Sequence, residues 1–328
     1  MSQEQVVRIA QPGAAEVMQL EHVEVGAPGP GEVRVRHAFC GLNYIDIYHR
    51  SGVYPLPMPS GLGMEASGIV EAVGEGVSHL AEGDRVAYAS QPVGAYATAR
   101  VMPARCVVRL PDGIGLDTGA AMMLKGLTVQ YLLRKTVPQG GLQAGDTVLF
   151  HAAAGGVGLI ACQWARHLGL KLIGTAGSDE KCELARQHGA AHVINYRRED
   201  FAARVKELTE GRGVKVVYDS VGADTWAGSL ACLSTFGLMV SFGNASGAVP
   251  PVNLSSLSAN SLYLTRPVLF AHLATRESTQ AMADDLFDVV GQGVVRIPIG
   301  QRYALAEVQQ AHRELEARTT TGSGLLVI

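Results

Sequence analysis

The chain has 328 residues, a formal net charge of −3 and 47% apolar residues, which suffice for two domains with hydrophobic cores. This acidic balance argues against nucleic acid as a principal partner, because a nucleic-acid-binding face needs clustered lysine and arginine. No apolar stretch predicts a membrane span, and five scattered cysteines without a secretion signal favour a reducing, cytoplasmic location over a disulfide framework or a metal cluster.

The first 120 residues or so carry short valine-rich runs in which apolar and polar residues alternate. Examples are residues 32–36, 68–74 and 84–88, and glycine or proline interrupts the chain at short intervals between such runs. This pattern is typical of small antiparallel strands. We therefore predict a barrel or sandwich for this part of the chain.

From about residue 146 the pattern changes to strands that alternate with helices. The predicted strands cover 146–151, 171–176, 192–196, 215–219, 238–242 and 262–265, and the predicted helices cover 157–168, 180–188, 201–209 and 225–233. Strands that alternate with helices of this length pair in parallel, with the helices on both faces of the sheet. The segment is therefore predicted to be a Rossmann-type domain with a doubly wound parallel sheet.

The chain after about Pro267 differs again in its pattern. It contains predicted helices over 278–290 and 305–316 and ends in an apolar strand over 325–328. We expect this part to fold back on the first domain, which makes the parallel-sheet domain an insertion.

The junction between the first strand and the first helix of the Rossmann segment is a run of small residues. Ala153-x-Gly155-x-x-Gly158 matches the dinucleotide fingerprint G-x-G-x-x-G with alanine in the first place. The N–H groups at the start of a helix have no intrahelical partner and the helix dipole is positive there, so small residues let an anion approach closely. The junction is therefore a predicted site for a dinucleotide pyrophosphate.

The second strand of this domain ends in Thr175-Ala176-Gly177-Ser178, where NAD enzymes place an acidic ribose ligand. Gly177 leaves room for a 2′-phosphate, Ser178 can donate a hydrogen bond to it, and Lys181 supplies positive charge. We interpret this as an NADPH site. In the alternative interpretation Lys181 is a solvated surface lysine and Asp179 binds the ribose, although Asp179 has the position expected of a helix N-cap.

Six motifs together resemble the zinc-independent quinone oxidoreductases, the zeta-crystallin-like group of the medium-chain dehydrogenase/reductase superfamily. The resemblance runs from about Val6 to Ile328. The motifs are Asn43-Tyr-Ile-Asp46-Ile-Tyr48, Gly61-Leu-Gly-Met-Glu65-Ala-Ser-Gly68, Gly83-Asp-Arg-Val-Ala-Tyr88, Leu124-Lys-Gly-Leu-Thr128-Val, Phe150-His-Ala-Ala-Ala-Gly-Gly-Val-Gly158 and Tyr218-Asp-Ser-Val-Gly222.

The resemblance implies an α/β fold in which the Rossmann domain is inserted into a GroES-like antiparallel β-barrel catalytic domain. We place the catalytic domain at residues 1–124 and 267–328 and the NADPH-binding domain at 125–266. The resemblance also implies an active site in the cleft between the domains and a homodimer formed through the cofactor domains. Residues 261–269 are the predicted dimer edge, because a terminal strand exposes unpaired backbone groups.

The resemblance also assigns cofactor contacts to individual positions. The contacts implied are Gly155, Gly156 and Val157 to the pyrophosphate, Ser178, Lys181 and Tyr196 to the 2′-phosphate and adenine end, Thr128 to the nicotinamide side, and further contacts at Asn43, Tyr48, Ser220, Phe242, Gly243 and Arg318. Three of these positions have a structural alternative from the residues themselves. Tyr196 and Phe242 can serve packing, and Arg318 can be a solvated loop charge.

Metal chemistry is not expected for this chain. Zinc alcohol dehydrogenases have cysteine where this chain has Asn43 and histidine where it has Met64, and an amide and a thioether do not suit catalytic zinc. A simple ketone is a poor acceptor without a Lewis acid, whereas a quinone accepts electrons readily when a hydrogen-bond donor stabilises its oxygen. Tyr48 and Tyr54 are candidates for that donor, with Asn43 and Asp46 close in sequence. Alternatively, both tyrosines only fill a loop core.

Three functions are compatible with the sequence. The first is NADPH-dependent reduction of small quinones, with electrons passing either singly or as hydride. The second is NADPH-dependent reduction of the double bond of an alkenal or enone. The third is a non-enzymatic NADPH-binding protein, either crystallin-like or RNA-binding, which predicts cofactor binding without turnover.

Overall fold

The computed structural model describes residues 2–138 and 140–328, which form two compact units. The first unit comprises the chain up to Leu127 together with His272–Gly291 and Ile297–Ile328, and the second comprises Thr128–Ala271 and Gln292–Arg296. The domain limits predicted from the sequence, 124/125 and 266/267, fall a few residues before these divisions. None of the helices in the described part of the chain is long and apolar enough to span a bilayer.

The described residues form β-strands and α-helices throughout both units. In chain order the strands are β1 (Ser2–Ile9), β2 (Gln19–Val25), β3 (Glu32–Leu42), β4 (Ser60–Gly61), β5 (Glu65–Val73), β6 (Arg85–Ala89), β7 (Ala99–Pro103), β8 (Val108–Arg109), β9 (Thr147–Phe150), β10 (Lys171–Ala176), β11 (His192–Asn195), β12 (Val214–Asp219), β13 (Leu233–Ser241), β14 (Tyr263–Thr265), β15 (Ile299–Ala304) and β16 (Ser323–Val327). The α-helices are α1 (Tyr44–Ser51), α2 (Leu116–Arg134), α3 (Gly156–His167), α4 (Asp179–Gln187), α5 (Phe201–Leu208), α6 (Trp226–Ala231), α7 (Leu269–His272), α8 (Arg276–Gly291) and α9 (Val308–Glu316).

The first unit is built from antiparallel strands around β3. One sheet has the order β15-β16-β3-β5-β6-β8, with β7 also paired to β3, and a smaller sheet has the order β2-β1-β4. The side chains of β3 alternate: Val33 and Val35 are buried, whereas Arg34 pairs with Glu4 and with Glu71, each at 2.7 Å. The prediction of small antiparallel strands is confirmed, and the rigid strand β3 carries the chain directly to the site residues that follow it.

The second unit contains a six-stranded parallel sheet with the order β11-β10-β9-β12-β13-β14. Its inner strands are continuous apolar runs, as expected for strands that helices cover on both faces. The predicted Rossmann-type sheet is therefore confirmed, with element boundaries within one or two residues at most positions. One exception is the strand predicted over 238–242, because β13 begins five residues earlier, at Leu233, which already pairs with Val214 in the sheet.

Candidate functional site

The turn between β9 and α3 has the geometry of an anion-binding junction. Ala152 adopts a left-handed conformation at φ 56°, and Gly155 is the N-cap of α3. A Cβ atom on Gly158 would lie 2.5 Å from the Ala152 carbonyl oxygen, so only glycine fits there. On Gly155 the same distance would be 3.2 Å, a tight contact that a shift of a few tenths of an ångström would relieve. The turn therefore has the shape that a pyrophosphate needs.

A buried hydrogen-bond chain fixes the strand ends around this turn. Ser229 donates to Asp219 at 2.8 Å, so the Ser229 hydroxyl oxygen accepts from His151 Nε2 at 2.9 Å. His151 Nδ1 then accepts from the Thr175 hydroxyl at 2.9 Å, and burial lowers the pKa of His151, which keeps the ring neutral. These contacts connect the ends of β9, β10 and β12, which hold the carboxyl edge of the sheet in place.

Polar side chains surround Gly177 at the end of β10, and we call this group of residues the pocket over Gly177. A Cβ atom there would lie 2.6 Å from the Tyr196 hydroxyl and 3.6 Å from Arg197 Nε, so both side chains cross the glycine. Ser178 is the N-cap of α4 and accepts from the Lys181 N–H at 3.3 Å. The structure thus brings the predicted residues Ser178, Lys181 and Tyr196 together. It adds Arg197, which the sequence analysis missed although it directly follows Tyr196.

Asp179 is not the N-cap of α4, and the prediction on this point is wrong. Ser178 occupies the cap, and Asp179 is the first helical residue. Its carboxylate accepts from Asn195 Nδ2 at 2.7 Å and forms an ion pair with Arg198 at 2.7 Å. Because these two partners engage its oxygens, Asp179 is a structural residue of this corner, and its charge is balanced beside the pocket.

The other predicted cofactor residues divide between the two units. Ser220 follows β12, and Phe242 and Gly243 follow β13, so they share the carboxyl edge of the parallel sheet with the turn. Phe242 packs on Phe150 with ring centroids 5.8 Å apart, which supports its packing role. Thr128 lies on α2 at the start of the second unit. Asn43, Tyr48 and the exposed Arg318, which has φ 57°, belong to the first unit.

Helix α1, which the sequence analysis did not predict, organises the four candidate catalytic residues. Asn43 is its N-cap, and Asp46 Oδ2 accepts from the Asn43 N–H at 2.9 Å, an arrangement that the Asn-x-x-Asp spacing could have indicated. The ring centroids of Tyr48 and Tyr54 lie 5.1 Å apart, and Tyr44 packs on Tyr48 at 5.3 Å. Half-buried Tyr44, Tyr48 and Tyr54 therefore form an aromatic cluster on α1 and the segment that follows it.

The Asn43 side chain contacts a buried ion pair formed by Glu65 and Lys125. Glu65, at the start of β5, accepts from Asn43 Nδ2 at 2.7 Å and from the Leu124 N–H at 2.8 Å. The ammonium of Lys125 lies 3.7 Å from Glu65 Oε2, the oxygen that also accepts from Asn43, and it donates to the Leu42 carbonyl at 3.0 Å. Burial raises the pKa of Glu65, and the Lys125 charge opposes that rise. We call Asn43, Glu65 and Lys125 the charged cluster.

A second buried chain extends from Asp46. Tyr96 donates to Asp46 Oδ2 at 2.7 Å and lies 3.2 Å from His312 Nε2. Burial raises the pKa of Asp46 to about 7 and lowers the pKa of His312 to about 3. Within the described residues, Asp46 Oδ1 and Asn43 Oδ1 have no hydrogen-bond partner. These two buried oxygens, on neighbouring residues of one helix start, can accept from a donor group of a ligand or from a water molecule.

Comparison with known proteins shows extensive similarity. Residues 29–112 match the alcohol dehydrogenase GroES-like domain, and residues 156–294 match the family described as zinc-binding dehydrogenase. The chain is 56% identical to a quinone oxidoreductase of Pseudomonas aeruginosa over 98% of both chains, and 43% identical to a 2-haloacrylate reductase of a Burkholderia species over 94% of both. The structure of Escherichia coli quinone oxidoreductase complexed with NADPH superimposes with a TM-score of 0.96, at 49% identity, covering 99% of this chain and 100% of that one.

The zinc in the name of the second matched family finds no suitable donor set among the described residues of the site. The charged cluster offers one carboxylate, from Glu65, which already accepts from Asn43 and Leu124, together with an amide and an ammonium, and the adjacent Met64 is a buried thioether. Catalytic zinc needs thiolate, imidazole or carboxylate ligands, and a neighbouring ammonium repels a cation. In the part of the chain that the structure describes, no group of three His, Cys, Asp or Glu side chains could hold a metal ion. These residues do not fit zinc.

Proposed function

The chain belongs to the quinone oxidoreductase family of the medium-chain dehydrogenase/reductases, and on that premise we propose that it reduces small quinones with NADPH. When bound, NADPH supplies the electrons as a hydride equivalent from its nicotinamide ring. The chain itself binds the phosphates on the turn before α3 and on the pocket over Gly177. Its first unit supplies polar and aromatic groups for the acceptor.

The observation that carries the cofactor choice is the composition of the pocket over Gly177. Lys181 and Arg197 supply positive charge and the hydroxyls of Ser178 and Tyr196 can supply hydrogen bonds, while Asp179, one of two acids in the first turn of α4, is paired with Arg198. A 2′-phosphate is stabilised by such a set, whereas a free acid would repel it. The geometry therefore favours NADPH over NADH.

The substrate class follows from what the first unit offers an acceptor. Without a Lewis acid, an acceptor must have a carbonyl that takes electrons readily, as conjugated quinone carbonyls do. Tyr48 and Tyr54 present half-buried aromatic surface, on which a flat quinone ring can pack. Asn43 and Asp46, at the start of the same helix, each have a buried oxygen without a partner among the described residues, and these oxygens can accept from a reduced quinone hydroxyl. We assign these four residues to acceptor binding.

A steady-state comparison tests this function. NADPH oxidation with 1,4-benzoquinone is measured against NADH oxidation, for the wild type and for the K181A variant. We expect turnover with a strong preference for NADPH. The K181A substitution should weaken the binding of NADPH far more than the binding of NADH. K206A, a change of an exposed lysine on α5, is the matched control and should behave as the wild type. If K181A weakened the binding of both cofactors equally, the assignment of Lys181 to the 2′-phosphate would be contradicted.

Reduction of an activated carbon–carbon double bond is the second candidate, and one observation favours it specifically. The Burkholderia 2-haloacrylate reductase covers nearly the whole chain at 43% identity, and its name denotes a substrate with an activated double bond. A 2-alkenal added in parallel with the quinone separates the two functions. Turnover with the alkenal alone would replace quinone reduction as the assigned activity.

We also propose a homodimer formed through the edge of the parallel sheet. Strand β14 is the terminal strand of that sheet, and its Tyr263 and Leu264 are 41% and 38% exposed. An edge with unpaired backbone groups and apolar side chains can pair with a second copy. Sedimentation should show a dimer for the wild type and a monomer for the L264K variant. A monomeric wild type would remove this proposal.

The cytoplasmic location stays a prediction. The five cysteines of the chain are free in the structure, and four of them are buried, in agreement with a reducing compartment. Fractionation of the producing cell would test it, and recovery of the protein in an oxidising compartment would contradict it.

A further inference from the structure

Lys125 is a buried lysine outside the residues that we assign above to cofactor and acceptor binding. It lies in the apolar helix α2, and its side chain is 8% exposed, while its neighbour Glu65 is fully buried. Burying an ammonium is costly unless other groups compensate for the lost hydration. Of the two charged side chains, Lys125 alone retains some contact with the surface.

The hydrogen bonds of Lys125 leave part of its capacity unused. An ammonium has three N–H donors, and within the described residues Leu42 O at 3.0 Å is its hydrogen-bond acceptor. The distance of 3.7 Å to Glu65 is an ion pair but too long for a hydrogen bond. Glu65 instead takes its short contacts from Asn43 and from the Leu124 N–H. The ammonium is therefore held in place with donor capacity left for a ligand.

The surroundings of Lys125 also contain unused acceptor capacity. Asn43 shares one Glu65 oxygen with Lys125, and its own Oδ1 is buried without a partner in the described part of the chain. Asp46, three residues further on, has a second buried oxygen of this kind. An ionised quinone oxygen can accept a hydrogen bond from the Lys125 ammonium. Once protonated, the same oxygen can donate to a free acceptor such as Asn43 Oδ1 or Asp46 Oδ1. The charged cluster thus has the chemistry of a binding site for a quinone or hydroquinone oxygen.

We propose that Lys125 is a catalytic residue whose ammonium donates a hydrogen bond to the quinone oxygen that gains negative charge. This inference rests on the proposed function. The hydride equivalent from NADPH adds to the quinone, NADPH is oxidised to NADP⁺, and the quinone becomes the hydroquinone monoanion, which then takes a proton from solvent. Lys125 stabilises the monoanion and keeps its own proton. Glu65 and the Leu42 carbonyl position the ammonium.

The proposal explains how a site without a zinc donor set retains an electrophile. A positive charge held in a region with little water stabilises an oxyanion far more than it would in bulk solvent. An ammonium provides that charge without metal coordination. The purely structural alternative is that Lys125 only neutralises Glu65.

Four variants separate these two roles. K125M should lower kcat/KM for 1,4-benzoquinone about 100-fold, as the loss of an oxyanion donor does, with the NADPH dissociation constant within about twofold of the wild type. K125R keeps the charge and should retain more activity than K125M. The double variant K125M/E65Q has an uncharged pair and should stay as slow as K125M. K135M, which changes an exposed lysine just after α2, should match the wild type.

A binding measurement gives a readout that does not depend on turnover. 4-Nitrophenol, whose ionised form mimics the hydroquinone monoanion and absorbs visible light, is titrated into each variant in the presence of NADP⁺. The wild type and K125R should bind the phenolate, and K125M/E65Q should not. The double variant also keeps the test valid if K125M alone does not fold, because it leaves no unpaired buried charge.

The outcomes distinguish the inference from the proposed function. Wild-type activity in K125M, or recovered activity and phenolate binding in K125M/E65Q, would show that Lys125 only neutralises Glu65 and would overturn the inference. A wild type that binds NADPH but reduces no quinone would overturn the proposed function. In that case phenolate binding that depends on Lys125 would still support an anion site at the charged cluster, and its absence would remove that site too.

Discussion

The turn before α3 and the charged cluster behind Asn43 are built in opposite ways. The turn uses the backbone of seven consecutive residues, 152–158, and depends on small residues, with glycine at 155, 156 and 158. The charged cluster uses side chains from the end of β3, the start of β5 and the middle of α2, and works because three buried polar groups balance one another. A backbone-built site therefore depends on local shape, whereas a side-chain-built site depends on charge balance over long sequence separations.

The largest expected effect concerns Asp46, whose pH dependence would show how strongly charge balance governs the first unit. Burial raises the pKa of Asp46 from 3.8 to about 7 in the folded state. Between these values the folded chain holds a proton that the unfolded chain releases, so a rise in pH favours unfolding. The wild-type free energy of unfolding, relative to D46N, should therefore fall by up to about 1.4 kcal/mol per pH unit, which is about 4 kcal/mol in total between pH 4 and pH 7.

Urea unfolding of both proteins from pH 4 to pH 8 measures this difference, because the other titrating groups are common to both. Above about pH 7 the difference should become constant, since Asp46 is then ionised in both states. Parallel stability curves across the whole interval would mean that Asp46 ionises normally in the fold. The turn before α3 contains no titratable side chain, so it has no equivalent response.

Gly41 provides a steric test of the charged cluster. A Cβ atom at Gly41 would lie 2.2 Å from Glu65 Oε2 and 2.3 Å from the Ala120 carbonyl oxygen. The Ala120 backbone cannot move aside, so Glu65 would be displaced from Asn43 and Leu124. We expect G41A to lower the free energy of unfolding by about 3 kcal/mol and the quinone activity with it. G26A is the control, because nothing lies within 4 Å of its Cβ position. Equal melting temperatures for the two variants would contradict this packing.

Two glycines of the turn separate its fold requirement from its ligand requirement. Alanine at Gly158 would place Cβ 2.5 Å from the Ala152 oxygen, so G158A should cost about 2 kcal/mol of stability and abolish NADPH binding. Alanine at Gly155 would place Cβ 3.2 Å from the same oxygen, which a small local shift relieves, so G155A should lose far less stability than G158A and should mainly weaken NADPH binding. Thermal melts and NADPH fluorescence titrations measure both effects. If G155A bound NADPH as tightly as the wild type, the pyrophosphate would not lie against this residue.

The difference between the two regions also explains what the sequence could predict. The turn and its flanking elements follow from local patterns: β10 was predicted over 171–176 and is Lys171–Ala176, because a buried apolar run between two helices leaves few alternatives. The small residues of the turn are likewise adjacent in the chain. A backbone-built site is therefore visible in a short window of sequence.

The charged cluster was not predictable in the same way. Residues 43, 65 and 125 meet only after β3, β5 and α2 have packed, and no local pattern relates them. The one available signal was Lys125 inside an apolar run, since a buried lysine needs a partner. Helix α1 was missed because its eight residues are mostly polar or aromatic and its boundaries depend on the Asn43 and Asp46 contact.

The smallest expected effect lies at the pocket over Gly177, which combines both ways of building a site. Its floor is a glycine, but its charge comes from side chains, and Arg197 crosses that glycine with Nε 3.6 Å from the Cβ position. Because Arg197 is exposed, solvent screens its charge, and R197A should raise the NADPH dissociation constant only fivefold to tenfold, about 1 kcal/mol, and leave NADH unchanged. Arg186 lies on the last turn of α4, where it pairs with Glu183 at 3.0 Å. The control variant R186A should therefore leave the dissociation constants of both cofactors unchanged. If R197A weakened NADH as much as NADPH, Arg197 would act on the adenosine portion that the two cofactors share, and the 2′-phosphate would depend on Lys181 and the two hydroxyls.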